Sequence, residues 1–186
     1  MKRSQVLRFI IVLSLCLAAL GLVGSAGFVT AQTAFDTAEW SHVGVACVPD
    51  DTDTTPSRYD AYTNGYLQFQ GTATGDLFFW CNVVSPHEVM GENPNWNRMY
   101  VTFKDSNNQG YVEVRLIRKR KDNGLYAYNA TFTSTDGVGV REAAAPERLP
   151  AFDFDRYAYF VKVKLHRDSS KGDPQFHIVT LRTIIE

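Results

Sequence analysis

Apolar and polar residues alternate with a period of two through most of the chain beyond residue 31. Tyr159, Val161, Val163 and Leu165 alternate with Phe160, Lys162, Lys164 and His166, the pattern of a strand with one buried and one wet face. Val112, Val114 and Leu116 alternate with Glu113, Arg115 and Ile117 in the same way. Leu77, Phe79, Cys81 and Val83 share one face while Phe78 and Trp80 take the other. That strand is apolar on both sides, which places it centrally in a sheet. Further strands are predicted over 43–48, 66–71, 99–104, 125–133, 138–142 and 175–185. No stretch beyond residue 31 sustains an apolar period of 3.6, so little helix is expected.

Turn chemistry separates these runs. Asp122-Asn123-Gly124 is the strongest hairpin signal, because Asn-Gly accepts the positive φ angles of a type I′ turn. Residues 105–110 read as a second hairpin connection and 168–174 as a third. Eight or nine short strands at this spacing predict an all-β fold: an antiparallel β-sandwich, jelly-roll or Greek-key, rather than a barrel. Three connections, 49–62, 85–98 and 143–156, are longer than hairpins need, and long loops on a rigid scaffold are where binding concentrates.

The first 31 residues do not belong to that pattern. Lys2, Arg3 and Arg8 precede an apolar run from Phe9 to Val23, and Val29-Thr30-Ala31 supplies the small-x-small site of a cleavable signal peptide. The run is short for a membrane anchor, and Leu15 is too bulky to precede a lipidated Cys16. The domain organisation is therefore a signal peptide over 1–31 and a single domain over 32–186, secreted or periplasmic, with no membrane span after cleavage. Cleavage removes three basic groups and leaves 16 Lys+Arg against 20 Asp+Glu, a net charge of about −4. That balance argues against nucleic acid as a partner. Cys47 and Cys81 remain, an even pair in an exported chain, which predicts a disulfide.

The stretch Phe152-Asp153-Phe154, then Tyr157-Ala158-Tyr159, Val161-Lys162-Val163-Lys164-Leu165 and Pro174-Gln175-Phe176, resembles the C-terminal hairpin of a family of small exported bacterial β-sandwich proteins with no assigned activity. Ala46-Cys47-Val48-Pro49 and Trp80-Cys81 before Pro86 extend the likeness over most of the chain. The resemblance implies export, a cysteine pair and β architecture. It implies no chemistry.

Candidate chemistry falls into a few constellations. Asp50, Asp51 and Asp53, with Asp60 near, are hard oxygen ligands dense enough for Ca²⁺ or for a solvated acidic loop; no other cofactor is indicated. Asp105, Asn107 and Gly110 match EF-hand offsets, but Leu116 occupies the position of the required Glu. His166 and His177 face each other on the last hairpin only if the register pairs them. Trp40, Tyr59, Tyr62, Trp96 and Tyr100, with Asn97 among them, suit a sugar-binding surface in which rings stack on pyranose faces and amides take hydroxyls. The same rings equally suit plugs for the ends of a sandwich. Arg115, Arg118, Lys119, Arg120 and Lys121 form a basic hairpin tip, fit for anionic polysaccharide or lipid headgroups, or for guarding a sheet edge.

Asn129-Ala130-Thr131 is a formal N-glycosylation site falling within a strand. No nucleophile elbow or His-Glu-x-x-His motif is present, and Glu88, Glu92, Glu142 and Glu147 are the carboxylates that a hydrolase would need to pair. The sequence thus points to a secreted, non-catalytic binding or surface-associated module, with a cell-envelope glycan as leading ligand class. A structural subunit of an extracellular assembly is the alternative, a protein partner or self-association its consequence, and a secreted hydrolase the weaker third reading.

Overall fold

The computed structural model describes residues 39–50, 54–84 and 93–185. The signal-peptide segment, Asp51, Asp53, Pro86, Glu88 and Glu92 lie outside them. Eleven strands are formed among the described residues: β1 (Trp40–Val43), β2 (Val48–Pro49), β3 (Tyr59–Ala61), β4 (Leu67–Phe69), β5 (Gly75–Val83), β6 (Arg98–Asp105), β7 (Gly110–Arg120), β8 (Tyr126–Thr133), β9 (Gly137–Ala144), β10 (Tyr157–Arg167) and β11 (Gln175–Arg182). Among the described residues helix is confined to two 3-10 turns, Gly44–Ala46 and Pro56–Arg58.

Two antiparallel sheets result. The first runs β3-β4-β11-β6-β9, with β1 also on β11, and the second runs β2-β5-β10-β7-β8. From β4 onward every connection crosses between the sheets except the β7–β8 hairpin. That strand order is a jelly-roll.

The strict alternation of the longest strands explains the packing. In β6 and β10 nearly every second residue is buried. Phe79, Met99, Val101, Phe103, Val112, Val114, Leu116, Val161, Val163, Leu165, Phe176 and Leu181 are fully buried between the sheets. Cys47 and Cys81 are joined by a disulfide that ties the segment before β2 to β5 across 34 residues.

The crossings correct two sequence expectations. Residues 105–110 and 168–174 are not hairpins; each carries the chain from one sheet to the other. The reason is packing: β10 and β11 each have one apolar face, and placing them in facing sheets buries both. Close approach fixes Gly110 at one crossing, where a Cβ would lie 2.6 Å from the His166 carbonyl oxygen. Of the three expected hairpin connections only the β7–β8 turn is one, with Gly124 at φ 72°; the short β3 and β4 strands pair through a second hairpin.

Candidate functional site

Residues directly opposed across neighbouring strands share a face, so the register of the second sheet specifies what its outer surface presents. One row reads Trp80, Lys162, Arg115, Thr131; the next reads Asn82, Phe160, Ile117, Tyr128; a third reads Ala158, Lys119, Tyr126. A bulge in β8 at Asn129, between the Leu116–Ala130 and Ile117–Tyr128 pairs, brings Tyr128 and Tyr126 onto this outward face. Asn129 Nδ2 is shielded from solvent at the bulge, which leaves no room there for an attached glycan in this conformation.

The rows enclose a groove of about 610 Å³ lined by Trp80, Ile117, Lys119, Gly124, Tyr126, Tyr128, Phe160 and Lys162. Its size lies within the range of small-molecule sites. Tyr126 and Tyr128 are 66% and 52% exposed, their rings 5.9 Å apart and steeply inclined. Ile117 is buried beneath them. Lys162 lies with its ammonium 4.6 Å from the Phe78 ring and 4.9 Å from the Trp80 ring, a cation–π arrangement. The indole Nε1–H of Trp80 donates to Asp50 Oδ2 at 3.2 Å. Tyr126 and Tyr128 therefore offer the most ring surface to a ligand, although the Arg115 guanidinium lies over the Tyr128 ring at 5.2 Å, and Phe160 is partly exposed beside them.

Charge is segregated along this surface. Toward the start of β5, Lys164 pairs with Asp76 at 3.2 Å, Arg115 with Glu113 at 2.9 Å, and His166 with both Asp76 (2.5 Å) and Asp168 (2.9 Å) while stacking on Tyr111. Burial disfavours the charged imidazole, but the hydrogen bonds to the two carboxylates outweigh it and raise the His166 pKa. Burial likewise pushes Asp76 up, and its bonds with His166 and Lys164 bring it below the usual carboxylate range. A ring with a carboxylate on each nitrogen donates to both only as the imidazolium.

The aromatic residues singled out from sequence scatter over the molecule, and most of them are structural. Trp96 is 3% exposed, edge-to-face with Phe152 at 5.2 Å and with Phe154 at 6.4 Å. Its Asn-rich neighbours predicted a wet loop, but the ring closes one end of the core and offers no face to a ligand. Trp40 and Tyr59 pack against the core, Tyr59 edge-on to Phe79. Tyr100 lies beneath the Arg182 guanidinium at 3.5 Å, and Arg182 pairs with Glu142. Asn97 holds the C-terminal segment by a reciprocal pair of bonds with the Ile184 backbone. Tyr62 stacks on Tyr66, which stacks on His177, on the first sheet. Beside Tyr62 is a smaller polar cleft of about 240 Å³ lined by Asp60, Gln68 and Asp173 among others.

His166 and His177 consequently belong to different sheets, which removes the paired-histidine reading. The basic run is largely consumed: Arg115 on Glu113, Arg118 over Tyr157, Arg120 on Asp122, and Lys121 Nζ donating to the Phe154 carbonyl at 2.6 Å. Lys119 alone of that run lines the groove. Among the acidic ligands, Asp50 is described, and its carboxylate accepts from the Trp80 indole. Glu142 pairs with Arg182, and Glu147 accepts from the Thr131 backbone N–H. His42, Cys47 and Cys81 place one nitrogen and two sulfurs within 4.8 Å of one another, but the sulfurs are bonded together and offer no thiolate.

Sequence reading overlooked Phe160, Tyr126, Tyr128 and Lys162 as a site. The signal was present: Trp80 and Phe160 sit at the polar parity of their strands, and Tyr126-Ala127-Tyr128 places two rings on one face.

No protein-family model matches the chain, and no curated protein is recognisably similar to it. Solved structures are similar at a distance. A family two carbohydrate esterase from Cellvibrio japonicus is 11% identical over 80% of this chain, with a TM-score of 0.43, and this chain spans about a third (34%) of its length. A CBM36-1 domain of a xylanase from the hindgut metagenome of Trinervitermes trinervoides is 12% identical, covering 80% of this chain and 100% of that one, at a TM-score of 0.41. A family 11 carbohydrate-binding module from Clostridium thermocellum, in complex with a β-1,3-1,4-mixed-linked tetrasaccharide, is 11% identical over 87% and 94%, at a TM-score of 0.41. At such distances what those proteins bind is not carried over to this chain.

Proposed function

We propose that this protein is a secreted glycan-binding module whose site is the aromatic groove on the outer face of the second sheet. The observation that carries the reading is the pair Tyr126 and Tyr128, more than half exposed above a groove walled by Trp80 and Phe160. Large apolar rings held open to solvent on a rigid sheet favour a ligand that covers them. Flat rings with hydroxyls at their rims match a pyranose, whose apolar face stacks while its edge hydroxyls take hydrogen bonds. Affinity electrophoresis through gels containing different polysaccharides tests this. At least one polysaccharide retards the wild type, and Tyr126→Ala/Tyr128→Ala abolishes the retardation with its circular dichroism unchanged. Unretarded wild type across neutral and acidic polysaccharides overturns the reading.

One observation favours self-assembly as a second reading. Among the described residues β9 is an edge strand of the first sheet, and Val138 and Val140 on it are 94% and 53% exposed, an edge open to strand pairing. Sedimentation analysis decides it: a mass that grows with concentration and is fixed to the monomer by Val140→Lys supports assembly.

A further inference from the structure

We infer that the glycan taken by this groove is acidic, carrying carboxylates that Lys162 and Lys119 receive; the inference rests on the glycan reading above. Both lysines line the groove with the four rings. The two sit on neighbouring strands of one face, Lys162 on β10 and Lys119 on β7. The ion pairs of this face consume Lys164, Arg115 and His166 against Asp76, Glu113 and Asp168, and none of those among the described residues includes Lys162 or Lys119. The carboxylate that reaches the groove's aromatic wall, Asp50, accepts the Trp80 indole N–H instead.

Among the described residues Lys162 and Lys119 are thus two cations on one face without carboxylate partners. Lys104 and Lys164, by contrast, meet acids, Asp173 at 2.6 Å and Asp76 at 3.2 Å. The Lys162 ammonium is also held in place, against Phe78 and Trp80. Little side-chain entropy is then lost when an anion arrives. An oligohexuronate combines what the groove offers: apolar pyranose faces for Tyr126, Tyr128 and Phe160, and one carboxylate per sugar, so that two uronate residues supply both ammoniums. Neutral hexoses leave both ammoniums uncompensated. The groove's aromatic and cationic lining also resembles what single-stranded nucleic acid uses, but that partner needs a net-basic surface.

Titration calorimetry of the purified protein decides it, using hexamers of galacturonate, of mannuronate and of hyaluronan beside cellohexaose, xylohexaose and a β-1,4-galactose hexamer. At least one acidic hexamer binds about ten-fold or more tightly than every neutral one, and its affinity falls as salt rises from about 0.05 to 0.5 M. Lys119→Met lowers acidic binding about ten-fold, and Lys162→Arg retains most of it. Because Lys119 is exposed, the variant at that position reports on binding even if Lys162 variants fold poorly. Neutral hexamers binding equally well, with no salt or Lys119 effect, overturn the acidic assignment and leave the glycan reading standing. No binding by any hexamer overturns both. A deoxyoligonucleotide that binds as tightly as the acidic hexamers overturns the glycan in favour of polyanions at large.

Discussion

The indole of Trp80 donates to Asp50 Oδ2 at 3.2 Å, tying the acidic segment after β2 to the aromatic wall of the groove. That segment is further stitched to β5, with the Asp50 N–H on the Phe78 carbonyl and Thr54 Oγ1 taking the Phe78 N–H. Asp50→Ala leaves the indole N–H half-buried and unpaired, a loss of about 1–2 kcal/mol. We expect glycan affinity to fall only a few-fold, far less than for Tyr126→Ala/Tyr128→Ala, because the open faces remain. Calorimetry on both variants gives the ranking.

Trp96 separates the structural aromatics from those of the site. Replacing this buried ring, wedged against Phe152 and Phe154, with alanine costs about 3–5 kcal/mol of stability. Any molecules that remain folded bind glycan with unchanged affinity. Urea unfolding measures the first effect and calorimetry below the transition the second.

The His166 cluster makes stability depend on pH. Its folded pKa is raised, so its contribution is complete below the unfolded value of about 6.5 and is lost as pH rises through the folded value. Asp76, depressed by the same contacts, contributes above its unfolded value of about 3.9 and loses that contribution as pH falls through its folded value. The cluster therefore stabilises most between those limits. The thermal midpoint of the wild type minus that of His166→Gln is expected to be largest near pH 5–6 and to shrink toward pH 9. A difference that grows with rising pH contradicts the assignment.

The Cys47–Cys81 bridge closes 34 residues of chain that include β3 and β4. On the chain-entropy model its loss costs about 3–4 kcal/mol. Cys47→Ser/Cys81→Ser is expected to lower the unfolding free energy extrapolated from urea denaturation by that amount and to leave the outer face of the second sheet able to bind, because β7, β8 and β10 do not depend on the bridge for their pairing.

The strands were legible in the sequence wherever one face is apolar. In β6, β7 and β10, period-two alternation specifies which residues face the core, and the structure keeps that parity. Sheet membership was not legible. A crossing and a hairpin turn both require polar, Gly-containing connections, so residues 105–110 and 168–174 looked like turns within one sheet. The error carried over to His166 and His177, which a shared hairpin would have brought together. β3 was missed inside the 49–62 loop because three residues are too few to show a period.

The site was hidden for a different reason. Alternation separates inside from outside, but it does not say that an outward Trp80, Phe160 and Tyr128 come from strands of one sheet, β5, β10 and β8, with only β7 between the last two. That depends on the order β5-β10-β7-β8 and on the bulge at Asn129, neither of which leaves a local mark. Trp96 misled in the opposite sense, since its polar neighbours describe the loop and not the direction of its ring.

The most direct measurement is the amide and aromatic NMR spectrum of the isotopically labelled protein, titrated with the polysaccharide fragment that gives the strongest retardation. Saturable shifts confined to Trp80, Lys119, Tyr126, Tyr128, Phe160 and Lys162 are the result expected of a glycan site in this groove. Shifts centred on Tyr62, Tyr66 and His177 across the sandwich, or no saturable shift at all, would contradict it.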